Sequence, residues 1–356
     1  MSHEGREREI KEIVTYLRAA QVGRVFLGEA NGKMTPVFPE MMETWSRPKI
    51  RNERERIRSY LGGEVKKFCR INFPRLNPLN FAEMYERLFS NGGHLELPLP
   101  EFQIFAKGDL RGTIFRGAPL HSTVVISAYW GLKLEFPEYH LMNDLAFAYN
   151  EMRSQEMYMS KLKKLPWLEK KAREREIADC MLRSKAFGRM CLLACFNLIE
   201  AYVNGLAWEH AHSHPLDKLT RKQREMIEGG SGSVLNRIIV IPEIVSGKDS
   251  PLDAKQYPLK EFDETVKPYR NSIVHASPFT SPDKFGGYDR LEKLYTLEAE
   301  TVTLAIKVVQ DLISAIHKHV DGQGDLPRWY YPRKNNGLFD FGSKSGYPTA
   351  KKDKDR

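Results

Sequence analysis

The chain has 356 residues, of which 41% are hydrophobic and 28% charged, and its formal net charge is +9. That length accommodates two ordinary domains, and the apolar content excludes wholesale disorder. A net positive field favours polyanions over acidic protein surfaces. The four cysteines, Cys69, Cys180, Cys191 and Cys195, include no CxxC pair and suggest no disulfide framework. Residues 1–8 are charged and lack the apolar stretch of a secretory signal. Together these point to a reduced, cytoplasmic protein.

Residues 6–20 carry Ile10, Ile13, Val14 and Leu17 at helical spacing and predict a short amphipathic helix. Residues 24–48 are irregular, with Gly and Pro punctuation. Residues 47–75 form a basic stretch of ten Lys/Arg against three Asp/Glu, a candidate RNA surface or a solvated helix. A helix is expected over 80–89. Between 94 and 135 the segments 95–97, 102–105 and 123–126 read as strands, separated by Gly and Pro. Residues 1–135 are therefore expected to be a mixed α/β region.

From about residue 140 the helical period dominates. Helices are predicted over 140–165, ended by Pro166, over 168–211, and over 220–228, closed by Gly229 and Gly230. Residues 234–244 are apolar and ambiguous, and 246–258 read as a polar loop. A continuous helix is predicted over 259–275, stopped by Pro278. Thr296 is the expected N-cap of a last helix with Val302, Ile306, Val309, Leu312, Ile313, Ile316 and Val320 on one face. The fold class is mainly α, with a helical bundle over 136–322 and a basic, aromatic tail over 323–356. The apolar run 190–208 is interrupted by Asn197, Glu200 and Asn204, which favours a buried helix over a membrane span. No membrane association is expected.

Arg270-Asn271-Ser272-Ile273-Val274-His275 carries the clearest chemistry. Arg-x4-6-His by itself says little. With 27 arginines and 10 histidines, about two chance matches are expected. Three occur. Arg87 to His94 contains Asn91-Gly92-Gly93, and Arg116 to His121 contains Gly117 and Pro119, so neither fits one rigid helix. Arg270 to His275 lies in a helical pattern. Asn271 and His275 are four apart and share a face, and the long Arg270 fork reaches the same space. An imidazole titrating near neutrality, a guanidinium fork matched to phosphate and an orienting amide suffice for RNA cleavage without a metal.

The order Tyr269-Arg270-Asn271-Ser272-Ile273-Val274-His275 on the penultimate helix of a bundle resembles the HEPN superfamily, over roughly 170–320. The resemblance implies a helical core, usually a homodimer, in which two motifs form a composite, metal-independent endoribonuclease site. It carries over Arg270, Asn271 and His275 as catalytic residues, with RNA as substrate and no cofactor. It suggests a toxin or an antiviral defence effector, with residues 1–135 sensing a trigger, binding a regulatory partner or restraining the nuclease. Some members of the superfamily lack nuclease activity, which leaves a non-catalytic module for a nucleotide or partner protein as the alternative.

Asn197, Glu200 and Asn204, at i, i+3 and i+7, form a polar stripe on an apolar helix. They are expected to be buried against the motif helix, with Glu200 orienting Arg270 or His275. Arg328-Trp329-Tyr330-Tyr331-Pro332-Arg333 interleaves cations with aromatics, and Arg328, Trp329 and Arg333 are candidate RNA contacts. Docking of the same aromatics on the bundle is the competing reading. The cluster His210, His212 and His214 reads as a solvated helix end, and no metal is assigned to it. A metal-dependent hydrolase using it is a third alternative. Gly229–Ser233 and the Gly247-Lys248 stretch lack the context of a phosphate loop and read as plain loops.

Overall fold

The computed structural model describes residues 45–60, 78–106, 117–127, 131–229, 232–275, 293–321, 325–327 and 329–330, with isolated residues between 11 and 25. The chain divides into two compact units, Met1–Phe136 and Pro137–Arg356. Most of the helix expected over 6–20 and the second half of the basic stretch fall outside the described residues. The described chain is mainly helical, with one three-stranded sheet.

In the first unit, helices α1 (Arg47–Tyr60) and α2 (Pro78–Ser90) precede strand β1 (His94–Pro98), helix α3 (Leu99–Ala106) and strands β2 (Thr123–Ser127) and β3 (Gly131–Glu135). The strands pair antiparallel in the order β1-β2-β3, with Leu97 opposite Val124 and Val124 opposite Leu134. Val124, Val125 and Ile126 of the central strand are all buried, so both of its faces are covered. Asn91-Gly92-Gly93 makes the turn from α2 into β1. Both glycines have positive φ (67° and 82°), and this breaks the helix inside the Arg87–His94 match. The strand expected over 102–105 is instead helix α3. Leu99, Phe102 and Ala106 are buried at helical spacing while Ile104 is 79% exposed. Pro100 sits in the first turn of that helix, where a missing N–H costs nothing.

The second unit is built on a long helical hairpin. Helix α4 (Pro137–Lys163) and helix α6 (Glu174–Ser213) run back against each other, joined through the short helix α5 (Trp167–Ala172). The single helix expected over 168–211 is thus broken at Arg173, which adopts φ −108°, ψ 18°. Helix α7 (Arg221–Ile227) begins at Thr220 with a full capping box to Gln223. The ambiguous segment is helix α8 (Val234–Ser246), capped by Ser233 and ended by Gly247 in the left-handed region (φ 67°). The stretch between Gly229 and the polar loop therefore contains more than three helical turns. Helix α11 (Ala299–Val320) starts two residues later than expected, with Glu298 rather than Thr296 at the N-cap.

The core joins Cys191, Leu192, Cys195, Leu198 and Ile199 of α6 to Val302, Ile306, Val309, Leu312, Ile313 and Ile316 of α11. Gly188 is closely packed: a Cβ there would lie 3.1 Å from Leu297 and 3.3 Å from Val302, so both side chains would have to give way. Helix α6 is long and apolar enough to cross a bilayer, but 61% of its most apolar window is buried inside the protein, as in a core helix.

Candidate active site

The motif lies on a helical run over residues 259–274 that changes character twice. Helix α9 (Leu259–Glu261) passes into a π-helical turn (Phe262–Val266) and then into helix α10 (Lys267–Val274). The continuous α-helix expected here is therefore interrupted. Pro268 accounts for it: its ring cannot donate to, and would collide with, the carbonyl of Glu264 four residues back. Widening the preceding turn moves that carbonyl away. The π turn is well anchored, because Phe262 and Val266 are fully buried and Phe262 stacks on Phe196 of α6 (5.7 Å between centroids, 18° between planes).

Phe196 carries the motif arginine on its face. The Arg270 Cζ sits 4.6 Å from the Phe196 ring centroid. Its Nη1 donates to Asn271 Oδ1 at 3.2 Å. Its Nε is covered and has no acceptor. The guanidinium is thus held by an aromatic shelf below and an amide at its side, with one donor unmet. Ser272 is fully buried and its hydroxyl donates to the Tyr269 carbonyl at 2.7 Å, which fixes the helix against the core.

His275 is the C-cap of α10. Its backbone N–H donates to Asn271 O at 2.9 Å, its φ and ψ are −114° and 47°, and its side chain is exposed. Arg270 and Asn271 are half-buried. The motif therefore grades from a packed, oriented cation to a solvent-accessible imidazole across one and a half helical turns. That is suited to holding an anion while moving a proton at its edge.

The polar stripe on α6 lies elsewhere than expected. Asn197 and Asn204 are exposed and Glu200 is half-buried. Among the described residues, no hydrogen bond or ion pair joins Glu200 to Arg270 or His275. The reason is the phase of α6. Phe196, Leu198, Ile199, Tyr202 and Val203 take the core side, which turns 197 and 204 outward. Helix α10 does pack on α6, and Glu200 lies one turn beyond the Phe196 shelf on the same edge. Phe196 itself is the site residue that sequence reasoning missed. An aromatic at a core position carries no signal until a cation is found above it.

The aromatic part of the tail belongs to the second unit. Tyr330 is fully buried and Trp329 meets Tyr202 edge to face at 5.8 Å, with its own surface half-buried. Trp329 is accordingly a packing residue rather than an open stacking platform. The candidate contacts Arg328 and Arg333 fall outside the described residues.

The histidine cluster pairs within itself. His210 stacks on His214 at 4.6 Å and His212 stacks on Trp208 at 3.6 Å, so the three rings do not converge. Among the described residues no group of three or more potential ligands is placed to hold a metal. Burial, and then the neighbouring His214, push the His210 pKa down. A base whose folded pKa lies below its unfolded value contributes stability above the ordinary imidazole range of about 6.5. That stability is lost as pH falls through it. Acidifying from about pH 7.5 to about 5.5 is therefore expected to lower the melting temperature of the wild type more than that of His210→Gln. Equal shifts in a thermal scan would remove His210 from the acid response.

Cys191 and Cys195 offer no competing nucleophile. Burial pushes the Cys191 thiol up to about 12 and the Cys195 thiol well above its usual range. No family model matches the chain, no curated protein matches it, and no solved structure matches it.

Proposed function

We propose that the chain is a metal-independent endoribonuclease of the HEPN type, acting through Arg270, Asn271 and His275. The observation that carries this reading is the Arg270 guanidinium: set on Phe196 and braced by Asn271, five residues before the exposed His275 on the same helix. Such a fork receives the non-bridging oxygens of a phosphodiester and the charge that grows on them in the phosphorane. His275 accepts the proton of the ribose 2′-hydroxyl as that oxygen attacks phosphorus. The 5′-oxygen leaves and takes a proton, giving a 2′,3′-cyclic phosphate and a 5′-hydroxyl. Asn271 keeps the guanidinium aligned. A second copy of the chain, facing the first across a two-fold axis, supplies the second imidazole that protonates the leaving oxygen. The resemblance to the superfamily supports this dimer and a role as a toxin or antiviral effector, with residues 1–135 as the restraint or sensor.

The test is cleavage of a mixed RNA pool by purified full-length protein in EDTA, with end-group analysis of the products. Fragments ending in 2′,3′-cyclic phosphate and starting with a 5′-hydroxyl are expected. No cleavage, or cleavage only with added metal, overturns the proposal.

A further inference from the structure

We infer that the hairpin formed by the far ends of α4 and α6 is a docking arm for single-stranded RNA. The choice of RNA among polyanions rests on the ribonuclease reading above. Fully buried members of the core stop at Met152 on α4 and resume at Cys191 on α6. The intervening chain, 153–189, projects beyond the core except at its base, where Phe187 and Gly188 pack on it, and otherwise buries little besides Leu162, Cys180 and Ser184. Sixteen residues of α6 at about 1.5 Å each make an arm of roughly 24 Å.

This segment holds eleven Lys/Arg against five Asp/Glu, a net +6 of the chain's +9. Two of the cations are neutralised locally, Arg153 by Glu156 and Arg173 by Glu176. The side chains of Lys163, Lys164, Lys170, Arg175, Arg183 and Arg189 make no ion pair or hydrogen bond among the described residues. A self-repelling concentration of unpaired cations gains most from a polyanion, which releases counterions as it binds.

The tip of the arm adds a stacking surface. Helix α5 has no buried residue, and Trp167 and Leu168 on it are 68% and 74% exposed. Lys171 lies 5.2 Å from the Trp167 ring centroid, and Lys163-Lys164 precede it in the chain. An indole flanked by lysines can stack a base while the lysines meet the adjoining phosphates. The base of the arm leads to the candidate active site. Arg189 lies seven residues, two turns, before Phe196 on the same face of α6, about 10 Å along the axis from the shelf under Arg270. A strand that follows the arm inward therefore arrives at the motif.

The test uses the full-length His275→Ala protein, so that RNA is bound but not consumed, and a fluorescein-labelled single-stranded RNA of mixed sequence in EDTA. Lys163→Gln, Lys164→Gln, Lys170→Gln and Lys171→Gln are combined in one variant, and Trp167→Ala is made alone. Removing four lysines is expected to reduce the slope of log affinity against log salt by about 3, at roughly 0.7 per phosphate contact. Trp167→Ala is expected to weaken binding about tenfold at fixed salt. The same proteins are sedimented with phosphatidylserine vesicles. If no RNA is bound, or both variants bind RNA as their parent does, the proposal is overturned. It is also overturned if the substitutions abolish vesicle binding and leave RNA binding intact, because the arm then belongs to a membrane surface. A wild-type chain that binds RNA through the arm yet cuts none would refute the ribonuclease reading and leave the arm standing.

Discussion

Replacing Arg270 with alanine is expected to lower RNA cleavage by about 10²–10³-fold, the range for losing one preorganised donor to a developing oxyanion. The effect on folding is expected to be small. The side chain is half-buried, and among the described residues its hydrogen bond is to its neighbour Asn271. Losing its contact with Phe196 costs about 1 kcal/mol. Arg270→Lys keeps the charge but not the planar fork, and it loses the bond to Asn271, so most of the activity should still go. His275→Ala removes the proton carrier and is expected to cost about 10²–10⁴-fold. Its side chain is exposed at the helix end, so the melting temperature should hardly move. The contrast to be measured is between activity and stability. If either alanine variant keeps wild-type cleavage, the motif is not the reaction centre. If either unfolds the protein, the motif is structural.

The second large effect is on the core beneath the motif. Phe262→Ala is expected to destabilise the helical unit by about 3–5 kcal/mol, the usual cost of emptying a fully buried phenylalanine site. Because Phe262 stacks on Phe196, and Phe196 carries Arg270, this variant should also lose cleavage at temperatures where it remains folded. Phe262→Leu, which keeps most of the volume, should cost less than about 1.5 kcal/mol and retain activity. Urea denaturation and cleavage on the same preparations check both points. Full activity in a folded Phe262→Ala protein would disconnect the shelf from the chemistry.

Most of the helical unit was legible in the sequence because its helices are strongly periodic and carry clear end signals. Pro166, Thr220, Gly229 and the apolar face from Val302 to Ile316 place their elements to within a few residues. The errors have physical causes. Phe102 to Phe105 alternates over four residues, too short to separate a strand from a helix whose buried positions are 99, 102 and 106. Residues 234–244 were ambiguous because they are apolar almost throughout, yet Ser233 and Gly247 cap them as a helix that tolerates the hydrogen bond lost at Pro242. The stripe of Asn197, Glu200 and Asn204 was correctly seen as one face of α6, but its phase relative to the core could not be read from α6 alone. Both faces of that helix are rich in apolar residues, and only the packing of α4, α10 and α11 decides which is covered. The motif residues were legible, and their environment was not. The Phe262–Phe196–Arg270 stack joins positions 66 residues apart, with no local pattern to announce it.

The π turn at Phe262–Val266 has a consequence for how such a site can change over time. One extra residue in a regular α-helix rotates everything after it by about 100° around the axis, and a π turn takes that residue up within one wider turn. The direction in which Arg270 and His275 point thus depends on the width of one turn upstream, not only on the motif's own letters. A change of one residue between 262 and 266 that the turn did not absorb would leave the six motif residues intact and swing them off Phe196. Descendant chains could keep Arg-x4-His in full and no longer present it to a ligand, so an intact motif in a relative is informative only together with the length of the segment before it.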